Sequence, residues 1–245
     1  MSGEATVEVR ETTLIVVATY NEKENIESLL AQILANAPDC HVLVIDDNSP
    51  DGTAALAQAF ATRDARVEVM VRPGKMGLGT AYVAGFEKAL ADGYDYVMTM
   101  DADFSHHPRH LPAILAEGRK PGVDMVIGSR YVKGGGVVGW GIHRRVLSFG
   151  ANTFARTLLR LTPHDCTGAY RLYSRRILDE LEFKSVRSHG YSALIELLWH
   201  FRRAGHKIHE VPITFADREL GQSKISRSEI RRGLSTVLRL RFRRS

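Results

Sequence analysis

The sequence predicts an α/β fold with a mostly parallel sheet flanked by helices. Two observations carry this. Short β-branched and apolar runs alternate with helical patterns of about 10–15 residues, as βαβ units require. Three of the first four runs lead into acid-bearing turns: TYNE at 19–22, DDNSPDG at 46–52 and DADFSHH at 101–107. Ligands of open parallel sheets bind at those carboxyl ends.

Residues 13–18, TLIVVA, form a continuous apolar run that reads as a buried strand. Asn21 is placed to cap a helix over about 23–36, where Ile26, Leu29, Leu30, Ile33 and Leu34 recur at helical spacing. VLVID at 42–46 is the second strand, and the turn formers of DNSPDG at 47–52 lead into an alanine-rich helix. VEVMV at 67–71 is the third strand. RPGKMGLG at 72–79 opens a helix over 79–91, with Gly77 and Gly79 read as close-packing residues and direct ligand contact as the alternative. YVMTM at 96–100 is the fourth strand, and the His106-His107-Pro108 step caps the next helix. A strand at 125–131, the glycine run Gly134–Gly136 and an amphipathic stretch at about 143–161 follow. Helices over 172–182 and 190–204, a strand at 209–215 and a polar loop, DRELGQSK at 217–224, complete the pattern.

With 245 residues, 44% hydrophobic and 25% charged, the chain is expected to be globular with a sizeable core. Its two cysteines, Cys40 and Cys166, give neither a disulfide framework nor a metal-ligand spacing, which suits a reducing compartment. MSGEATVEVRETT lacks a signal-peptide pattern, and no stretch reaches the ~20 apolar residues of a membrane span. A cytoplasmic location is the expectation. Net charge is +5, and residues 227–245 hold seven arginines against the single acid Glu229, which points to an anionic partner, a solvated or frayed terminus being the alternative.

Asp101 and Asp103 form a DxD pair at a strand end. One carboxylate can bind a divalent cation while the other accepts hydrogen bonds from a sugar hydroxyl. Mg²⁺ takes one or two protein carboxylates and completes its shell with water and substrate phosphates, where it neutralises a diphosphate leaving group. An isolated DxD equally marks a plain turn. Asp47 can accept hydrogen bonds from a base or ribose. Zinc is not expected at His106 and His107, which point in different directions and lack a third ligand. TYNEKEN stands where a dinucleotide-binding G-x-G-x-x-G would have to be. Three acid turns would repel nucleic-acid phosphates, so no nucleic-acid partner is expected.

TYNE, VIDDNSPDGT at 44–53, RPGKMGLGTAYVAGF at 72–86, DADFSHHP at 101–108, IGSRYVKGG at 127–135, DCTGAYRLY at 165–173 and GQSK at 221–224 occur together in this order. Over about residues 13–225 this resembles the polyprenol phosphate mannosyltransferases, dolichol-phosphate mannose synthase-like enzymes of glycosyltransferase family 2. The resemblance implies a GT-A, Rossmann-like catalytic domain over 1–225, followed by a basic amphipathic tail over 226–245. It implies an inverting glycosyltransferase with GDP-mannose as nucleotide sugar, Mg²⁺ or Mn²⁺, and a polyprenyl phosphate acceptor. UDP-glucose or another nucleotide sugar is the alternative donor. The family pattern puts Ala18, Tyr20, Glu22, Ile45 and Asp47 around the nucleotide, with Asp101 and Ala102 also facing it. Asp103 matches the main metal ligand, with Asp101 and Ser105 beside it. Arg130, Arg144, Ser148, Arg218 and Lys224 match positions engaging donor and acceptor phosphates, and Asp103, Arg130, Arg218 and Lys224 carry the catalytic expectation. Ala18 stands where many relatives have proline, and Ser105 where some have glutamine. DRELGQSK would close as a lid.

A phosphate monoester has a second pKa near ~6, so it is mostly dianionic at neutral pH and needs positioning more than deprotonation. Asp165 occupies the place of a catalytic acid in related transferases, and a structural role in the turn before Thr167-Gly168 is the alternative. The lipid would be met through amphipathic segments. Val146, Leu147, Phe149, Phe154, Leu158 and Leu161 interleave with Arg145, Arg156 and Arg160, and Ile230, Leu234, Val237 and Leu238 recur in the tail. Basic amphipathic helices lie in the lipid interface; packing of both faces against the core is the alternative. The expected state is peripheral, on the cytoplasmic face of a membrane or on a separate membrane-anchoring subunit.

Overall fold

The computed structural model describes residues 11–186, 188, 190, 192–217 and 227–242. Arg218, Lys224 and the rest of the GQSK motif lie outside the described residues.

The first half follows the predicted alternation: β1 (Thr13–Thr19), α1 (Ile26–Asn36), β2 (His41–Asp46), α2 (Thr53–Ala61), β3 (Val67–Val71), α3 (Leu78–Ala91) and β4 (Tyr96–Asp101). A 3₁₀ turn at Pro108–His110 runs into α4 (Leu111–Gly118), then come β5 (Met125–Ser129), β6 (Gly136–Val138) and α5 (Ile142–Leu159). The rest comprises β7 (Arg171–Ser174), α6 (Arg175–Asp179), α7 (Ser192–Arg203), β8 (Ile208–Pro212), β9 (Thr214–Ala216) and α8 (Arg227–Phe242). Seven strands form one sheet in the order β3-β2-β1-β4-β7-β5-β8, and β6 pairs with β9 in a small second sheet. All pairings are parallel except those of β7, which is antiparallel to both β4 and β5.

Successive strand residues face opposite sides, so β1 feeds two cores. Leu14 and Val16 join Tyr82 and Phe86 with residues from α5, α7 and α8; Ile15 and Val17 join α1 and α4. Strands buried on both faces must be apolar throughout, which is why TLIVVA does not alternate.

Four expectations change. The helix expected over 172–182 is a four-residue strand followed by a short helix, because Leu172 and Tyr173 are consumed by pairing with β4 and β5. Asn21 does not cap α1: it takes a left-handed φ of 59° and the helix begins at Ile26. Of the two glycines expected to pack closely, Gly79 does, since a Cβ there would lie 2.7 Å from that of Ala193. Gly77 has open space and is required instead for its φ of 94°. In the basic tail, Val237 faces inward: with Leu240 it is buried against the core, while Leu234, Leu238 and Phe242 stay exposed. Arg239 fastens α8 to the buried Glu196 of α7 at 3.1 Å. On α5, Ala155 and Leu159 are buried but Ile142, Val146 and Phe149 are 73%, 66% and 61% exposed.

Candidate active site

The three acid turns lie together because β1, β2 and β4 are adjacent and parallel. One register row joins Ile45, Ala18 and Asp101, and Thr19 pairs with Asp46. Each turn contains a non-glycine residue in the left-handed region: Asn21 at φ 59°, Asn48 at 56° and Phe104 at 60°. Asparagine tolerates this conformation, whereas phenylalanine has no side-chain compensation. Strain of that kind gathers at working sites, and at Phe104 it bends the chain so that Asp103 Oδ1 accepts from the backbone N–H of Ser105 at 3.1 Å. The Ser105 hydroxyl donates to the same oxygen.

A cavity of about 480 Å³ opens beyond β4. Asp101, Asp103, Ser105, Arg130, Arg144 and Ser148 all line it, so the sheet gathers six of the predicted site residues from segments up to 47 positions apart (148 − 101). Ala18, Tyr20, Glu22, Ile45, Asp47 and Ala102 do not line it. Ile45 and Ala102 are buried in the two cores, Glu22 accepts from Asn25, and Tyr20 lies under the Lys75 ammonium at 4.3 Å. The Asp47 carboxylate points into the RPGKMGLG loop, accepting from Arg72 Nε at 2.7 Å and from the amides of Met76 and Gly77 at 3.0 and 3.1 Å. It braces that loop. Arg144 rather than Arg145 belongs to the cavity: Arg145 donates to the carbonyls of Trp140 and Val137, while Arg144 stacks on Trp140 and pairs with Asp217 at 2.8 Å.

The buried centre is the Arg130–Asp165 pair. Asp165 accepts from Arg130 Nε and Nη2, both at 2.7 Å, from the Arg130 amide and from the Gly168 amide at 2.9 Å. The guanidinium sits among the rings of Trp140, Phe215 and Tyr131. Burial would raise the Asp165 carboxyl, but the Arg130 charge and these hydrogen bonds prevail and hold it at about 2. Such a carboxylate is a fixed counter-ion, not a proton acceptor. Arg171 supports the same turn without any carboxylate, donating from its fully buried guanidinium to the carbonyls of Gly168, Cys166 and Leu194.

The histidines divide the role expected of their step. His107 caps the 3₁₀ turn by accepting from the Arg109 amide. His106 instead lies against the DxD strand end, where its Nδ1 accepts from the Asp101 amide at 2.9 Å and its ring stacks on Tyr170. Desolvation drives its pKa down to about 4, so the ring is neutral at neutral pH with its proton on Nε2. His106 is a positioning residue for Asp101. Removing it orphans a backbone donor and frees the DxD turn, and misplacement by about 1 Å can cost a hundredfold in rate. His106→Ala is therefore expected to lower kcat about a hundredfold with a small change in KM. His106→Asn, whose amide oxygen can replace Nδ1, should recover most of it.

Residues 14–182 match the family described as Glycosyl transferase family 2. The chain is 46% identical over 234 residues to polyprenol monophosphomannose synthase of Mycolicibacterium smegmatis, spanning 95% of this chain and 88% of that protein. It is 42% identical over 213 residues to undecaprenyl-phosphate mannosyltransferase of Micrococcus luteus, spanning 87% of each. Among solved structures, glucosyl-3-phosphoglycerate synthase from Mycobacterium tuberculosis, in complex with phosphoglyceric acid, superimposes with a TM-score of 0.67 at 21% identity, covering 96% of this chain and 81% of that one. The mannosyltransferase PcManGT from Pyrobaculum calidifontis, in complex with GDP-Man and Mn²⁺, gives 0.57 at 16% identity over 86% of this chain and 58% of that one. These two likenesses establish the fold.

Proposed function

This chain belongs to glycosyl transferase family 2, and we propose that it transfers mannose from GDP-mannose to a polyprenyl phosphate with inversion, giving polyprenyl-phosphate mannose. The observation that carries this is the make-up of one cavity. The carboxylates of Asp101 and Asp103, the guanidinium groups of Arg130 and Arg144, and an apolar set of Leu147, Phe154, Ile195 and Leu234 all line it. A nucleotide diphosphate, a phosphate and a hydrocarbon tail each find matching chemistry there. The two relatives, named for polyprenol and undecaprenyl-phosphate chemistry, support the acceptor class.

No group of three metal-ligating side chains exists among the described residues. Asp101 and Asp103 thus suit Mg²⁺ or Mn²⁺ whose shell substrate phosphates and water complete, and not a closed protein cage. When bound, the ion offsets charge on the departing diphosphate. Ser105, whose hydroxyl donates to Asp103, fixes the ligand's orientation. Arg144 exchanges Asp217 for the acceptor phosphate, and planar guanidinium groups meet phosphate oxygens bidentately. Arg218 and Lys224, just beyond Asp217 in sequence, complete the cationic set in this proposal. An acceptor phosphate oxygen forms the new bond to the anomeric carbon as the bond to the GDP oxygen breaks. The dianion carries no proton that must move, which is consistent with Asp165 being locked to Arg130.

Among the described residues no helix is long and apolar enough to cross a membrane. The exposed apolar faces of α5 and α8 would therefore rest in the bilayer interface, with the cavity opening between them. The test is transfer of radiolabelled sugar to polyprenyl phosphate in detergent. GDP-mannose should support it and EDTA should stop it; transfer from UDP-glucose but not GDP-mannose would overturn the donor.

A further inference from the structure

A second cleft, of about 380 Å³, lies on the other side of α5 from the active-site cavity. It is lined by Thr153, Arg156, Thr157, Arg160 and His164, with Tyr131 and Phe149 as walls, and no acid lines it. The Tyr131 hydroxyl bonded to Ser148 at 2.7 Å stands between the two cavities. Neither Arg156 nor Arg160 has a carboxylate partner among the described residues. His164 does: its Nδ1 meets Glu210 at 2.9 Å, and Glu210 also accepts the amides of His164 and Asp165.

Two further features bear on the occupant. Ile142, Val146, Phe149, Thr153, Arg156 and Arg160 are spaced by four, three, four, three and four residues, so they form one seam along α5. Its first half is exposed and apolar; its second half is hydroxyl and guanidinium. At 1.5 Å per residue the arginines lie about 10 to 16 Å beyond Phe149. Arg160 also occupies the helix C-cap with a left-handed φ of 55°, a place that favours glycine. The turn it makes brings Leu161–His164 back to close the cleft.

Resting on the interfacial orientation proposed above, we propose that this cleft binds a phosphate ester, and that its source is the headgroup of an anionic bilayer lipid distinct from the acceptor. The apolar half of the seam would enter the acyl boundary, and the basic half would hold a neighbouring phosphate by bidentate guanidinium contacts. Anchoring there fixes the rotation of α5, and with it Arg144 and Ser148, relative to the membrane.

The experiment is partition of the full chain onto phosphatidylcholine vesicles with and without phosphatidylglycerol. Each basic residue near an anionic surface contributes about a fivefold affinity change. Arg156→Gln/Arg160→Gln should therefore lose about thirtyfold on the anionic vesicles alone, with no matching loss of Tm. Arg119→Gln/Lys120→Gln removes equal charge on the opposite side of the sheet and should change partition only slightly. An equal loss in both variants would reveal diffuse charge and overturn the site, as would no loss in the first, or a fall in Tm without one in partition. Excess glycerol phosphate should release the wild type from the anionic vesicles to the level of Arg156→Gln/Arg160→Gln, and no release would overturn the cleft as the binding site. A rise in wild-type Tm with glycerol phosphate that the double variant lacks, without any partition loss in that variant, would make a free phosphate ester the ligand and overturn the headgroup. Wild-type transfer in detergent reports on the proposed function independently of any vesicle result.

Discussion

Asp103→Asn is expected to reduce sugar transfer by about a thousandfold or more while the melting temperature stays within a few degrees of wild type. Asparagine keeps the shape and can still accept from Ser105, so the turn at Phe104 should survive. What disappears is one negative charge at a cavity wall where Asp103 is only 4% exposed. In the proposed mechanism that charge is the main protein contribution to holding a divalent ion on the diphosphate. Its removal weakens the hold on that ion and so the neutralisation of the leaving group. The residual rate should no longer respond to EDTA, which separates loss of the ion from a general disturbance. Near-normal, EDTA-sensitive transfer by Asp103→Asn would remove the metal assignment. Ser105→Ala should have a much smaller effect, because the Ser105 amide continues to hold Asp103 at 3.1 Å.

The parallel half of the fold was legible because buried parallel strands are nearly continuous apolar runs, and 14–18, 42–45 and 96–100 are, with Thr99 alone interrupting and satisfied by the Ala169 carbonyl at 2.6 Å. β7 was not. RLYS is four residues long, and Tyr173, Ile177, Leu178 and Leu181 run on at helical spacing, so the pattern reads as one helix although pairing with β4 and β5 claims its start. The acid turns were legible as a cluster because strand polarity alone brings them to one edge. Their internal wiring was not. Arg72 and Asp47 are 25 residues apart and Arg130 and Asp165 are 35 apart, and nothing in local pattern says which charge finds which. His106 lay beside a residue that caps, and only the fold reveals that its ring turns back to Asp101. The amphipathic pattern in 227–245 was visible, but helical spacing cannot tell a core face from an exposed one, and α8 buries Val237 and Leu240 while leaving Leu234, Leu238 and Phe242 exposed.

Asp165→Ala is expected to destabilise the protein by about 3–5 kcal/mol, the cost of leaving one member of a buried ion pair without its partner. For a chain of this size that corresponds to a Tm about 10 °C lower. The loss arises less from the bond itself than from the Arg130 guanidinium left among Trp140, Phe215 and Tyr131 with its charge uncompensated. A double-mutant cycle isolates this. Asp165→Ala/Arg130→Met should recover much of the Tm, since an apolar side chain suits a ring-lined site, yet remain inactive because the cavity has lost a cation. If the double variant is no more stable than Asp165→Ala, the pair is not the source of the cost. Acid titration gives an independent reading. The Asp165 carboxyl is held at about 2, below its ordinary 3.8, so its contribution is complete above about pH 4 and is lost as pH falls toward 2. Asp165→Asn should lose stability at neutral pH and show a flatter fall between pH 4 and 2 than the wild type. Its transfer rate should show no new limb at neutral pH, where wild-type Asp165 is already fully ionised. An acidic limb near neutral pH in the wild type that vanished in Asp165→Asn while activity survived would instead make Asp165 a proton acceptor and contradict the locked geometry.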